Sequence, residues 1–478
     1  MSILHLLLCI MKQRLVKLRR TGKFFFDLIG SERIRRNVLQ AIPFWIASLL
    51  TGLIAVGYTK MFAYSEGILQ NILHWHSWFI FIMTPVCFFL AWLTIQLFAI
   101  NARGSGIPQV MAAIELATPK YENKIGKLLS LRIIVTKIAS SLLMVLGGGA
   151  IGREGPTIQI AGSVFRLVNK LTPSSWPKLS KQSFILTGAA AGLAAAFNTP
   201  LGGVVFAMEE LAKIHIRFFR TALFSAVIIA GLTAQGFLGP YLYLGYPDVS
   251  KLRFGIFLGV AVVAIVSGLA GGLTSKGILK LMRWKKNFNT PKTIAFILAA
   301  GLLIATLAFF VNGEILGSGK NLMNTALFTN NKYYPWHTMI MRMVGSIICF
   351  NTGAAGGVFA PALAAGASIG SYVASVSEMV GGNANILILS GMVGFLTGVT
   401  RTPFTSAILV LEMTDRHSVI FHLMIAALIS NIAALIIDKH SFYEQLKKDY
   451  VDAAIEDDGE EKTLNDSNAD DSSLLQKV

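Results

Sequence analysis

The sequence predicts an all-α polytopic membrane protein, and three observations lead to that class. Hydrophobic residues occupy 54% of the 478 positions and charged residues only 14%, a balance that does not suit a soluble globular chain. Apolar runs long enough to cross a hydrocarbon core of about 30 Å recur along the chain. Glycine, proline and lone polar residues interrupt many of these runs, which is typical of helices that stop partway through a bilayer.

Five apolar spans are the clearest, and they divide between two membrane units. The units are predicted at residues 37–220 and 221–447, after a basic cytoplasmic segment, residues 1–36. Residues 448–478 are predicted to be a disordered acidic cytoplasmic tail, because ten acids and two lysines between 449 and 478 cannot build a core. The spans are residues 41–63, 79–100, 255–273, 293–311 and 422–437.

The net charge of +17 is concentrated in loops and does not indicate a nucleic-acid partner. Residues 12–36 hold nine Lys or Arg and two acids, and residues 276–292 hold six and no acid. Positive charge beside apolar spans marks the cytoplasmic side, whereas the loop 64–78 has no Lys or Arg and three Trp or Tyr side chains, as at an outer interface. We therefore expect an integral protein in a lipid bilayer, with both termini cytoplasmic.

Several kinds of site are excluded by residue type and spacing. The three cysteines, Cys9, Cys87 and Cys349, predict neither a disulfide framework nor a metal site. No histidine is followed by Glu, which excludes a zinc protease motif. A partial phosphate-loop pattern also fails, because Glu314 and Asn321 stand where that motif needs Gly and Ser or Thr. The sequence predicts neither an enzyme nor a cofactor.

Arg153 and Glu154 stand inside an otherwise apolar stretch, residues 142–160. A charge at membrane depth costs at least about 2.5–3.5 kcal/mol on insertion scales, so an intramembrane glutamate is by default a functional hypothesis. Pro156 fits the first turn of a helix that begins here. The alternative is that Glu154 only complements the positive end of that helix dipole.

Matching segments indicate that the membrane region is a duplication of one unit of about 200 residues. Where such units meet at broken helices, substrate sites lie near the bilayer midplane, between the halves. The residues alone leave open whether the units are parallel or inverted. The pairs are residues 199–209 with 402–412, 152–156 with 357–361, and 104–106 with 317–319, at shifts of 203, 205 and 213 residues.

Three glycine-rich motifs resemble, in the same order, the signature motifs of the CLC family of chloride channels and chloride/proton antiporters. They are Gly104-Ser105-Gly106-Ile107-Pro108, Gly152-Arg153-Glu154-Gly155-Pro156 and Gly356-Gly357-Val358-Phe359-Ala360-Pro361. The likeness covers about residues 35–447. It implies two inverted repeats of tilted and broken helices with the ion site at the repeat interface. It also implies a homodimer in which each subunit has its own ion pathway.

The residue chemistry at these motifs suits an anion. Each motif is a break followed by an apolar helical run, at residues 107–116, 157–168 and 362–376. The first backbone N–H groups of such helices have no intrahelical partner and can face an anion, aided by the helix dipole. No Lys or Arg is required at the ion, since a full opposite charge would hold it too tightly for transport.

The predicted chloride ligands combine hydroxyl and backbone donors. Ser105 supplies a hydroxyl, with helix capping as the alternative. Tyr443 matches in place the tyrosine whose hydroxyl coordinates the central chloride in the family, with anchoring at the membrane interface as the alternative. The complete set is Ser105, Gly106, Ile107, Val358, Phe359 and Tyr443.

Two adjacent carboxylates, Glu209 and Glu210, end a hydrophobic segment. On an α-helix they point about 100° apart, which predicts different roles. Glu209 has the repeat partner Glu412, which indicates a structural role, whereas Glu210 aligns with Met413. The resemblance implies that Glu210 takes protons from the cytoplasm in members that exchange them, where many channel members carry an apolar residue.

Supporting roles follow from the same resemblance. Lys137 matches a family lysine near the inner proton path. We expect its amine to offset the charge of a buried carboxylate, with snorkelling to the interface as the alternative. Arg153 is expected to set the potential of the outer vestibule, and Gly155 to let the chain approach the ion closely. Gln109 and Met111 depart from the family, whose members often carry acids there.

Together these residues predict chloride/proton exchange. As a carboxylate, Glu154 is itself an anion and can occupy the anion site; once protonated it leaves and chloride takes its place. Burial favours the neutral carboxyl group and helix dipoles favour the carboxylate, so the two opposing effects leave both states accessible. The open alternatives are a passive chloride channel on the same fold, a fluoride-selective exchanger and a non-transporting membrane scaffold.

Overall fold

The computed structural model describes residues 32–173, 175–177, 179–211, 220–239, 242–250, 255–311, 313–330 and 332–456. Within these ranges the chain is helical and forms no extended strand. Nine of the described helices are long and apolar enough to cross a membrane. The predicted class, an all-α polytopic membrane protein, is confirmed. Most of the predicted basic segment, residues 1–31, lies outside the described residues, as do residues 457–478 of the predicted tail.

The main helices are labelled in chain order, and single turns of helix join several of them. The turns are 3₁₀ at Ser77–Phe79, Ile100–Ala102, Glu122–Lys124, Gly313–Ile315 and His417–Val419, α at Ile125–Leu128 and π at Ala207–Leu211. The helices are α1 Glu32–Trp75, α2 Ile80–Phe98, α3 Ile107–Glu115, α4 Leu131–Leu146, α5 Glu154–Leu171, α6 Lys181–Phe197, α7 Pro200–Phe206, α8 Arg220–Leu238, α9 Ile256–Lys285, α10 Thr290–Phe310, α11 Lys320–Phe328, α12 Trp336–Asn351, α13 Phe359–Val376, α14 Gly381–Thr400, α15 Pro403–Thr414, α16 Ile420–Leu435 and α17, residues 442–456.

The spans predicted from the sequence correspond to observed helices. Residues 79–100, 293–311 and 422–437 coincide with α2, α10 and α16, and the other two spans are the apolar cores of α1 and α9. The three motif helices begin at Ile107, Glu154 and Phe359, each directly at its glycine-rich break. Pro156 lies in the first turn of α5 as expected, because a first-turn N–H has no intrahelical partner to lose.

The duplication is visible in the helix boundaries. α4 and α12 both have 16 residues, and α5 and α13 both have 18. Each of these pairs begins 205 positions apart, from 131 to 336 and from 154 to 359. α7 and α15 begin 203 positions apart, at Pro200 and Pro403. The predicted repeat is therefore confirmed helix by helix.

α13 and α14 form the centre of the second repeat. In α14, 94% of the apolar 18-residue stretch is buried, against 28% in α10, which lies at the periphery. Glycines let the central pair approach backbone to backbone: a Cβ at Gly366 would overlap the carbonyl of Gly391. Small residues at such contacts are how membrane helices gain close packing without a hydrophobic driving force.

The predicted tail is partly wrong. α17 continues to residue 456, so residues 448–456 are helical and not disordered. Tyr450, Val451 and Ala454 lie on one side of this helix and pack against the main hydrophobic core. Their spacing is that of one face of an amphipathic helix. The acidic composition of the segment hides this pattern, because acids stand between the apolar residues.

Candidate functional site

The glycine-rich breaks of the two repeats are joined directly by backbone hydrogen bonds. Gly152 and Gly357 exchange a pair of N–H···O bonds, each 2.8 Å long. Gly104 donates to the Ala354 carbonyl at 2.9 Å and accepts from Gly356 at 3.0 Å. The structure thus brings all three predicted motifs to one place, at the interface of the repeats.

Two glycines allow this convergence. A Cβ at Gly155 would overlap the Ser105 hydroxyl, so no larger residue fits where α5 begins beside α3. Gly106 has φ +100°, a left-handed conformation that favours glycine, and its Cβ would lie 2.8 Å from the Cβ of Gln159. The expected role of Gly155, close approach of the chain, takes the form of contact with Ser105.

The ends of α3 and α13 that face this point lack side-chain caps. The N-cap residues are Gly106 for α3 and Val358 for α13, and neither position has a side-chain hydrogen bond to the helix. Ile107 and Phe359 follow as the first helical residues, and both are fully buried. Uncapped N–H groups and the positive end of the dipole make each helix start suited to an anion.

Two buried hydroxyls face each other at these helix starts. Tyr443 and Ser105 are 0% and 1% exposed, and their hydroxyl groups approach closely. Apart from this approach to each other, neither Ser105 Oγ nor Tyr443 Oη has a hydrogen-bond partner. The Tyr443 ring lies nearly parallel to that of Phe359, with 6.2 Å between centroids. Because buried polar groups are nearly always paired, two facing unpartnered hydroxyls indicate the place of a ligand.

Glu154 lies at the edge of the same space. Its side chain is 1% exposed and folds back over Gly152, towards the backbone N–H groups of Glu154 itself and Ala360. The Oε2 atom has no hydrogen-bond partner. Arg153 donates to the Thr59 carbonyl at 3.4 Å. The Glu154 carboxylate is therefore buried at a helix start, beside backbone N–H groups.

Glu210 lies in the π-helical turn Ala207–Leu211, and its Oε1 has no partner. Single π turns are frequent at functional sites. Ser441, Glu444 and Lys447 of the C-terminal segment surround the carboxylate. Tyr443 lies within electrostatic range of both Glu210 and Glu154. Both predicted glutamates are thus close enough to the tyrosine to interact with it electrostatically.

Glu209 has a different environment, and the predicted structural role is confirmed. Its carboxylate accepts from the backbone N–H groups of Phe404 at 3.1 Å and Thr405 at 2.7 Å, in the first turn of α15. Glu412 accepts in the same way from Leu201 and Gly202, in the first turn of α7. Each repeat therefore caps a helix of the other.

Lys137 is fully buried but contacts carbonyls and not the expected carboxylate. Its Nζ donates to Ala102 and Gly104 at 2.9 and 2.8 Å, and more weakly to Arg103. Burial excludes the snorkelling alternative as well. The amine holds the loop that leads into Ser105, which gives it a structural part in shaping the turn before α3.

Two further contacts were missed by the sequence reasoning. Gln109, noted as a departure from the family, donates to the Arg103 carbonyl at 2.7 Å and to the Tyr450 hydroxyl at 2.9 Å. It joins the loop before α3 to α17. Arg342 is the other, a fully buried arginine that the sequence signals by its apolar neighbours and by its position 205 residues after Lys137. No group of three or more His, Cys, Asp or Glu side chains in the described ranges could hold a metal ion.

The fold and the site define an integral membrane protein of the class of ion channels and transporters. The chain belongs to the CLC family, whose sequence profile, described as voltage gated chloride channel, matches residues 87–435.

Among its relatives is the H(+)/Cl(-) exchange transporter ClcA of Salmonella arizonae, 26% identical over 91% of this chain and 93% of the relative. The protein of the same name from Citrobacter koseri is 27% identical over 88% and 90%. Of the solved structures, a slow cyanobacterial Cl-/H+ antiporter has a TM-score of 0.74 with 23% identity, over 86% of this chain and 97% of its own. A CLC-type fluoride/proton antiporter has a TM-score of 0.70 with 21% identity, over 87% and 98%.

Proposed function

We propose that this protein exchanges chloride for protons across a bacterial inner membrane, as a homodimer with one pathway in each subunit and with both termini in the cytoplasm. The observation that carries the proposal is the pair of unpartnered hydroxyls, Ser105 Oγ and Tyr443 Oη, at the start of broken helices beside Glu154. The names of the relatives, exchange transporters of chloride and protons, support the choice of substrates.

Chloride binds between the two hydroxyls. Backbone N–H groups of Gly106 and Ile107 on one side, and of Val358 and Phe359 on the other, complete its coordination. The ion is held by partial charges alone, because two buried lysines are already engaged, Lys137 by loop carbonyls and Lys447 by Glu115. Partial charges bind an anion firmly enough to strip its water and weakly enough to release it.

Glu154 is the outer gate and the outer proton acceptor. As a carboxylate it stays at the helix starts, where N–H groups stabilise negative charge. A proton from the outside removes that charge, so the side chain leaves and an anion can pass. Proton and chloride thereby exclude each other at one position, which couples their opposite movements.

Glu210 transfers the proton on the inner side. Its unpartnered oxygen and its surroundings of Ser441, Glu444 and Lys447 suit a carboxyl group that gains and loses a proton. The route between Glu154 and Glu210 passes Tyr443, which lies within electrostatic range of both. The inner carboxylate favours exchange over a passive channel, for which no inner proton acceptor is needed.

Purified protein in sealed vesicles tests the proposal. An outward chloride gradient is expected to drive protons inward against their own gradient, detected with a pH electrode, when a potassium ionophore clamps the voltage. Chloride efflux without proton uptake would establish the passive channel instead. Proton uptake with a fluoride gradient and none with chloride would establish the fluoride exchanger, and no flux of either ion would leave a scaffold.

A further inference from the structure

The second repeat contains a turn built like the one at the chloride site. Gly317-Ser318-Gly319 precedes α11 as Gly104-Ser105-Gly106 precedes α3, and each helix has nine residues. Gly104 and Gly317 both have φ +63°, and Gly106 and Gly319 have φ +100° and +83°. Neither helix has a side-chain cap. The two turns are structural equivalents at a shift of 213 residues.

A buried cation stands behind each turn in the same way. Lys137 donates to the carbonyls of residues 102, 103 and 104. Nη1 of Arg342 donates to those of residues 315, 316 and 317, at 3.0–3.2 Å, and to that of Glu314. The residue numbers of the three carbonyls at the second turn are those of the first turn plus 213. The correspondence extends from the turn to the side chains that support it.

The two turns differ in what their serines contact. The Ser105 hydroxyl has no hydrogen-bond partner. In the second repeat, the Ser318 N–H and hydroxyl both donate to Oε1 of Glu66, at 3.0 and 2.8 Å. A half-buried carboxylate from α1 therefore occupies the position that an anion takes at the first turn.

Arg342 supplies a second and independent sign of an anion at this place. The side chain is fully buried, yet Nε and Nη2 have no hydrogen-bond partner. Nη2 points at the N-cap of α11, since a Cβ at Gly319 would overlap the guanidinium group. A buried arginine normally uses these donors in pairs on an anion. Here Nη2 is directed at the turn whose serine contacts Glu66, and Glu66 lies within electrostatic range of the guanidinium group.

We propose that the Gly317–Gly319 turn is a second anion site, whose Ser318 donors are occupied by the Glu66 carboxylate as a tethered anion and which takes a free halide when that carboxylate is removed. Its donors are the Ser318 N–H and hydroxyl and the Arg342 guanidinium. The site does not depend on the exchange cycle proposed above. It makes the repeats unequal: the first turn is open to ions, and the second is filled by the protein.

Crystals of the full chain grown in bromide test the site directly, because bromide is located by its anomalous scattering. The wild-type protein is expected to show bromide between Ser105 and Tyr443 and none at Ser318. Glu66→Ala is expected to show both, with the second ion in contact with Ser318 and Arg342. Glu66→Gln keeps the volume of the side chain and is expected to show the first ion alone.

Titration of the same proteins with bromide gives the affinity. Glu66→Ala is expected to gain a second binding event, and adding Ser318→Ala to it should raise the Kd of that event about tenfold, the loss of one hydrogen bond to a charged group. Adding Ser65→Ala instead, one residue from Glu66, should leave it unchanged. If Glu66→Ala yields no folded protein, Glu66→Ser leaves a gap of similar size and is used in its place.

Bromide at Ser105 and Tyr443 together with an empty Ser318 turn in Glu66→Ala would overturn the second site and leave the first intact. Bromide at neither place would count against the anion site of the proposed function as well. Bromide at Ser318 in the wild-type protein would show that Glu66 does not fill the site, which overturns the tethered-anion part of the proposal.

Discussion

Glu154 combines near-complete burial with a carboxylate oxygen that has no partner. This combination costs folding free energy, which indicates that the residue serves function and not stability. Structural glutamates in this chain look different. Glu209 and Glu412 use both carboxylate oxygens on backbone N–H groups, whereas Glu154 leaves Oε2 without a partner. The contrast separates the residues that hold the fold from the residue that we expect to change its protonation state.

Glu154→Gln is expected to abolish proton movement while chloride flux persists without its pH dependence, because glutamine cannot titrate and carries no charge to compete with chloride. The measurement is chloride efflux from vesicles between pH 4.5 and 7.5, with proton uptake recorded in parallel. Proton pumping against a gradient by this variant would show that the gate is another residue.

Glu210→Gln is expected to stop proton transport and to leave chloride transport in place, since the anion site and Glu154 are untouched. Glu209→Gln is the matched control, one residue away in the same π turn, and should retain coupling. Equal loss of proton flux in both variants would mean that the two carboxylates act as a pair. Full pumping by Glu210→Gln would contradict the inner proton route.

Ser105→Pro removes a hydroxyl donor and a backbone donor at the chloride site. Loss of donors weakens binding of compact chloride more than that of larger, weakly hydrated nitrate, so the preference should move towards nitrate. Ser105→Ala, which deletes the hydroxyl alone, should move it in the same direction by less. Nitrate-to-chloride permeation in vesicles is the readout, and an unchanged ratio in both variants would place Ser105 outside the coordination shell.

At the level of elements, the repeats are held together by an exchange of caps. The Glu209 carboxylate binds the start of α15, and the Glu412 carboxylate binds the start of α7. α7 and α15 begin with Thr-Pro, and neither Thr199 nor Thr402 caps its own helix. The carboxylates take over that role from across the interface.

Glu209→Gln and Glu412→Gln are expected to destabilise the protein by similar amounts, about 1–3 kcal/mol each, because an amide replaces a carboxylate that accepts from two backbone N–H groups. Thermal unfolding in detergent measures the loss, with Glu210→Gln as the control that should change the midpoint least. A clear loss in one variant and none in the other would contradict the reciprocal arrangement.

The sequence predicts the helices and the motif breaks well, because glycine, proline and apolar periodicity act locally. It pairs Glu209 with Glu412 by their shift, yet it cannot show that each side chain crosses to the other repeat. The same limit explains why the contacts of Lys137 were not predicted. A buried cation is evident from its apolar neighbours, but its three carbonyl partners lie 33 to 35 residues away and depend on tertiary packing. The helix at residues 448–456 was not predicted, because the acidic composition of the tail was given more weight than the spacing of its apolar residues.

At the level of the whole molecule, stability depends on helices that pack through glycine. Gly366 in α13 meets the Gly391 backbone in α14, and Gly370 meets the Leu387 carbonyl. These neighbours are backbone atoms, which cannot move aside as a flexible side chain can. The fold class followed from composition and repeats, whereas such contacts are visible only once the helices are placed.

Gly366→Ala is expected to destabilise the protein by about 1–3 kcal/mol through overpacking. Gly57→Ala is the matched control, since a Cβ there meets nothing within 4 Å and alanine is the better helix former. The midpoint temperature at which the monodisperse peak is lost on size-exclusion chromatography compares the two. A Gly366→Ala protein as stable as the wild type would mean that α13 and α14 can separate without cost.

The exchanged caps also set an order of events during synthesis. The backbone N–H of Leu201 has no carboxylate partner until Glu412 is made, 211 residues later. At about 5–20 residues per second, that interval lasts about 10–40 s. Tyr443 is made later still. The first repeat therefore lies in the bilayer, with the start of α7 uncapped, for most of the time that synthesis of the second repeat takes. Neither repeat is therefore completely capped until both have been made. A chain that ends before residue 412 lacks the glutamate that caps α7 in the first repeat.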